Sequence, residues 1–83
     1  MLEDKDYINP YDARLVIEAE MNTLGISPIQ YEHMYGRGDS VGWVGITFKS
    51  LDDLRLYKIM GSQVKTNLIL WYRDKIGTLH QHV

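Results

Sequence analysis

Residues 29–35 and 41–48 each alternate with a period of two, and five turn-forming residues separate them. A period of two is the signature of a half-buried strand and does not suit a helix. In the first stretch Ile29, Tyr31, His33 and Tyr35 share one side, and Gln30, Glu32 and Met34 the other. In the second, Val44, Ile46 and Phe48 oppose Trp43, Gly45 and Thr47. Gly36-Arg37-Gly38-Asp39-Ser40 between them is turn chemistry, so the pair reads as a hairpin. A hairpin alone is not stable in water, so the rest of the chain has to cover at least one of its faces.

The covering elements are legible nearby. Asn9 fits an N-cap, Pro10 the first helical position, and Asp12 the positive end of a helix running over 10–24. Ala13, Val16, Ile17, Met21 and Leu24 recur at helical spacing, and Gly25 follows as a stop. Residues 50–61 carry a cap-like Ser50 with Asp53 three residues on and end at Gly61, which predicts a second helix with Leu56, Ile59 and Met60 sharing one side. Leu54, Leu56 and Tyr57 would also suit a strand. Residues 67–73, apolar on both faces, read as a central strand, with a short helix ending at Gly77 as the rival. Asp74-Lys75 is then a tight turn, and 76–82 a last strand with Leu79 on one face and Thr78, His80 and His82 on the other.

The expected order is α-β-β-α-β-β. The expected fold is a small two-layer α+β domain, with an antiparallel or mixed sheet of about four strands and both helices on one face. The chain has 83 residues, 45% of them hydrophobic, and no cysteine. That length supports one domain, 1–83, with 1–8 as an acidic, poorly ordered lead-in. It leaves no room for a multidomain enzyme, and the lack of cysteine excludes a disulfide scaffold or a cysteine-ligated zinc module. No apolar run approaches the ~20 residues of a membrane span, and Met1–Asp6 lacks the basic and apolar regions of a signal peptide. The expected location is the cytoplasm, with no membrane contact.

Charge is segregated. Residues 1–20 hold six acids and two bases, a balance of −4, while 21–83 hold five acids and seven bases, a balance of +2. The sum, −2, lacks the basic excess from which nucleic-acid binders draw most of their affinity.

Few motifs carry chemistry. Gly36–Gly42 nearly spells a dinucleotide fingerprint, but its third glycine is one residue late and it leads into a strand, not a helix. Arg37-Gly38-Asp39 matches the integrin-binding tripeptide, yet these are also ordinary loop residues. His80 and His82 share a strand face, but a metal site needs a third ligand, and His33 is the only other histidine. Ser27, Ser40, Ser50 and Ser62 sit in turns or caps, and Asp52 and Asp53 suit a helix start. No catalytic constellation, metal site or cofactor is expected.

The strand faces are more informative. Two helices can cover one side of four strands. The helix-facing set is expected to be Ile29, Tyr31 and Tyr35; Val44, Ile46 and Phe48; Leu68, Leu70 and Tyr72; and Leu79. The other face would show Met34, Trp43, Thr47, Ile69, Trp71, Arg73, His80 and His82. Apolar patches of this kind are often functional, and Trp and Arg are enriched at interface hot spots. The expected function is therefore a non-enzymatic interaction domain, compatible with an inhibitor or adaptor, including a virus-encoded one. Trp43, Thr47, Ile69, Trp71 and Arg73 would bind a second copy, as a homodimer or larger assembly, or another protein. The alternative is a nucleotide or single-stranded nucleic acid, held by the tryptophans with Arg37, Lys75, His80 and His82. Burial of both tryptophans in the core is the rival reading of the same pattern.

Overall fold

The computed structural model describes residues 8–37, 42–61 and 64–82. Of the expected poorly ordered lead-in 1–8, residues 1–7 lie outside these residues, as do Gly38, Asp39, Ser40 and Ser62 from the motifs above, whereas Ile8 is described and its N–H donates to the Lys65 carbonyl at 3.0 Å. The element order is α1 (Pro10–Leu24), β1 (Gln30–Met34), β2 (Trp43–Phe48), α2 (Leu51–Met60), β3 (Leu68–Arg73) and β4 (Leu79–His82). The four strands form one mixed sheet in the order β1-β2-β3-β4. The outer pairs are antiparallel, and β2 and β3 run parallel, joined through α2. This is the expected α+β domain.

α1 begins and ends where its local chemistry dictates. Asn9 Oδ1 accepts the Tyr11 N–H at 2.8 Å, Pro10 takes the first turn, and Gly25 closes the helix in the left-handed region at φ 75°. Pro10, Ala13, Ile17 and Met21 are buried, one stripe at helical spacing. Ser50 caps α2 by accepting the Asp53 N–H at 3.2 Å. α1 packs on β1 and β2, and α2 on β2 and β3; no helix packs on β4. The core between the layers holds Ala13, Ile17, Met21, Ile26, Val44, Ile46, Phe48, Leu54, Tyr57 and Leu70.

α2 turns Leu54 and Tyr57 inward, and the side that Leu56, Ile59 and Met60 share is exposed. Both sets have helical spacing. Tyr57 decides between them, because its ring packs against Phe48 with centroids 5.8 Å apart.

β4 also departs from expectation. A two-residue turn at Asp74-Lys75 would pair Arg73 with Ile76 and place Leu79 beside Leu70. The loop instead spans residues 74–78, and Arg73 pairs with Leu79. Asp74 builds this longer loop: its Oδ1 accepts the N–H groups of Ile76 at 3.0 Å and Thr78 at 2.9 Å. The register moves by three, an odd number, so every β4 side chain changes face. His80 lies opposite Tyr72 and His82 opposite Leu70, on the helix side, while Leu79 goes to the open side.

Tyr57, in the core, and Tyr31, packed against it, bear on the stability of the fold at alkaline pH. Burial, then the nearby charges of Glu20 and Tyr31, pushes the Tyr57 phenol up to about 12. Burial and Glu18, opposed by Arg14, push Tyr31 up to about 12 as well. A folded pKa above the ordinary 10.0 means that the folded state holds its phenol protons longer than the unfolded chain does. Their contribution is therefore complete below pH 10.0 and is lost as pH rises through about 12. Urea stability is expected to fall over that window, with a shallower fall in Tyr57→Phe. Equal alkaline slopes in the two proteins would contradict this assignment.

Candidate functional site

The uncovered sheet face is built by register. Partnered residues on neighbouring strands share a face, so Trp43 sits with Met34 on β1, and Thr47 with Gln30 on β1 and Trp71 on β3. Ile69 lies opposite Gly45, and Arg73 opposite Leu79. The face thus gathers Met34, Trp43, Thr47, Ile69, Trp71, Arg73 and Leu79. Neither tryptophan belongs to the core; both are partly exposed, as are Thr47 and Ile69. Met34 and Leu79 are 55% and 48% exposed.

Gly45 shapes this surface. A Cβ there would stand 3.0 Å from Trp43 Cζ3 and 3.7 Å from Glu32 Cβ, so the indole lies over the glycine and hides it. The face is low and broad here because one strand position carries no side chain. On the strands themselves Glu32 and Arg73 are the charged residues of this face, one of each sign. Arg37 stands at its border, in a shallow hollow of about 370 Å³ shared with Met34 and Trp43.

His80 and His82 do not join this face, contrary to the sequence expectation. His80 instead enters a cleft of about 460 Å³ between the β3–β4 loop and the start of α2, together with Lys49, Ser50, Tyr72, Asp74 and Lys75. Its ring stacks on Tyr72 at 5.3 Å with the planes 24° apart, and its Nε2 donates to Asp74 Oδ2 at 2.8 Å. That bond, with the Thr78 and Ile76 amides, holds the Asp74 carboxyl below the usual carboxylate range. Both Asp74 oxygens are thereby occupied in holding the loop and the ring, and Ser50 Oγ is occupied in capping α2.

The third histidine is at the other edge of the sheet. Arg14 Nη1 donates to His33 Nδ1 at 3.1 Å, and Tyr11 and Tyr35 flank the ring edge-on, with centroids at 5.6 and 5.7 Å. His33 and His80 sit on the outer strands β1 and β4, so the three imidazoles do not converge. Among the described residues no three His, Cys, Asp or Glu side chains are grouped to hold a metal ion. No helix of the described residues is long and apolar enough to cross a membrane.

Sequence reasoning missed two features. Leu79 was assigned to the helix side, since its true face depends on the length of the loop before it. The groove between α1 and α2, described below, depends on which side of α2 turns inward. Comparison with family models, with curated proteins and with solved structures yields no match.

Proposed function

We propose that this chain is a protein-interaction domain that works by binding, not catalysis, and that its open sheet face takes a second copy of itself. The observation that carries this reading is a four-strand face with Trp43, Ile69, Trp71 and Leu79 on one side, while both helices lie on the other. Opposite charges at Glu32 and Arg73 leave that face without the net charge that would repel its own copy. Strands lie about 4.8 Å apart and rise about 3.3 Å per residue, so the face measures roughly 20 by 20 Å. Two such faces in contact fall near the lower bound of specific interfaces, about 1,000 Å² in total. The self-association is therefore expected to be weak and concentration-dependent, and an inhibitor or adaptor role would place a different protein on the same face.

Light scattering after size exclusion, run over a concentration series, tests this. The mean mass should rise towards that of a dimer at high micromolar protein. Trp71→Ala and Trp43→Ala should each weaken association by roughly thirtyfold, the effect of losing a hot-spot aromatic, while the far-ultraviolet spectrum is unchanged. A strictly monomeric native chain at that concentration would remove the reading.

One observation favours a second reading, the binding of a nucleotide or single-stranded nucleic acid. The Tyr72–His80 stack faces a cleft bordered by Lys49 and Lys75, an aromatic platform beside cationic groups. Asp52 and Asp74 border the same cleft and oppose an anion. Titration with a nucleoside triphosphate and with single-stranded RNA, at low and high salt, decides it. Salt-sensitive resonance shifts at Tyr72 and His80 support this reading, and none at low salt ends it.

A further inference from the structure

The helical layer carries a second feature that the open face does not explain. On α1, Val16, Ala19, Glu20, Thr23 and Leu24 form one stripe at helical spacing, and with Met60 of α2 they line a groove of about 370 Å³. The groove has apolar walls: Val16 is 43% and Met60 59% exposed, although both are large apolar side chains. In that apolar setting lies a single ionisable group. Glu20 Oε1 is buried, and among the described residues no hydrogen-bond donor reaches it. Buried polar atoms in folded proteins are nearly always paired, and a carboxylate oxygen shut away from water without a donor is costly. The groove contains no Lys, Arg or His among the described residues. The ion pairs of the described residues, Arg14 with Glu18 and His80 with Asp74, do not include Glu20. Thr23, the other polar residue of the stripe, spends its hydroxyl on the Ala19 carbonyl at 3.2 Å.

An occupant that satisfies this site needs an N–H donor, preferably charged, at the end of an apolar stem. That is the description of a lysine or arginine side chain, whose methylenes lie along apolar surface while the head meets an acid. The volume is ample for one such chain. We propose that the α1–α2 groove is a docking site for a basic side chain of a partner protein, with Val16, Leu24 and Met60 holding its stem and Glu20 its head. Glu20 lines the groove, and its charge also acts on Tyr57 of α2. The site is independent of the open sheet face, which lies on the other side of the sheet.

N-acetyl-arginine amide serves as the probe, followed by backbone-amide and methyl resonances at millimolar concentrations. The neutral control is the capped norleucine amide. Arginine-specific shifts are expected at Ala19, Glu20, Thr23, Leu24 and Met60. Glu20→Gln should weaken binding about tenfold, the loss of a charge-assisted bond. Met60→Lys, at an exposed position, supplies a cation of the chain's own; it should block the probe and raise the thermal midpoint. The Trp71→Ala protein should titrate as the native chain does, which keeps failure of self-association separate from failure of this site. Equal shifts with the norleucine compound, unchanged binding in Glu20→Gln, or no shifts in the groove would each overturn the proposal.

Discussion

Phe48→Ala is expected to remove about 3–5 kcal/mol of folding stability, the usual cost of emptying a buried aromatic site. Phe48 ends β2 within the core that lies between the two layers. It is fully buried, its ring lies against Tyr57 of α2, and its strand partner on β3 is Tyr72. Truncation therefore leaves a void between the crossover helix and the parallel strand pair that the helix connects. The backbone on both sides is tied into ladders, so the site cannot readily collapse. A domain of this length has roughly 4–12 kcal/mol in all, at about 0.05–0.15 per residue, so one side chain accounts for about a quarter of it or more. The thermal midpoint should drop on the order of 20 °C. Trp71→Ala is the informative companion, because Trp71 is a larger side chain on the same sheet, yet faces outward. Measured on the monomer by urea unfolding, its loss should be much the smaller of the two. If Trp71→Ala costs as much as Phe48→Ala, the indole is part of the folding core and the open face loses its central residue.

How much of this arrangement can be read without coordinates depends on how local the cause is. The bounds of α1 follow from Asn9, Pro10 and Gly25, whose effects act within a turn of where they stand, and both helix ends fall where those residues place them. The strands β1 and β2 follow from period-two alternation, again a local property, and β3 from a short run apolar on both faces, a pattern that a helix ending at Gly77 would also have suited. The face of β4 is different in kind. Its alternation is legible, but the face is set by the parity of the preceding loop, and Asp74 makes that loop five residues long through hydrogen bonds that no strand pattern announces. His80 and His82 were paired with the tryptophans by sequence reasoning for this reason alone. The inward side of α2 is not legible for a related cause. Leu54 with Tyr57, and Leu56 with Ile59 and Met60, are both acceptable stripes; in the fold the first is buried, with Tyr57 against Phe48. With that side inward, Met60 is exposed and lines the groove with Glu20. The candidate sites are thus less legible than the fold, since they depend on choices made between elements.

Gly42→Ala is expected to be more damaging than its size suggests. Gly42 stands immediately before β2 with φ 79°, a conformation that costs an L-residue roughly 1–2 kcal/mol. That cost alone would be moderate. The larger effect is steric, and it falls on backbone. A Cβ at Gly42 would lie 2.2 Å from the Met34 carbonyl oxygen, 2.9 Å from the Gly36 nitrogen and 2.8 Å from Pro10 Cγ. These atoms belong to the end of β1, the residues leaving it and the start of α1, so three parts of the chain meet at one missing side chain. The Gly42 carbonyl is also fixed, since Asn67 Nδ2 donates to it at 3.0 Å from the segment that enters β3. Val44 N–H donates to the Asn67 carbonyl at 2.9 Å, which locks the same corner from the other side. Relief therefore requires the β1–β2 pairing to open at Met34↔Trp43 or α1 to lift from the sheet. Gly25→Ala separates the two contributions. Gly25 has nearly the same dihedral, φ 75°, but a Cβ there meets nothing within 4 Å. Its substitution should cost about 1 kcal/mol, the conformational part alone. Gly42→Ala should exceed that by several-fold in urea unfolding and broaden the amide resonances of Met34 and Trp43. Equal losses at the two glycines would mean that the corner yields freely, and that the tight approach of α1 to the β1–β2 connection is not what holds the open face in shape.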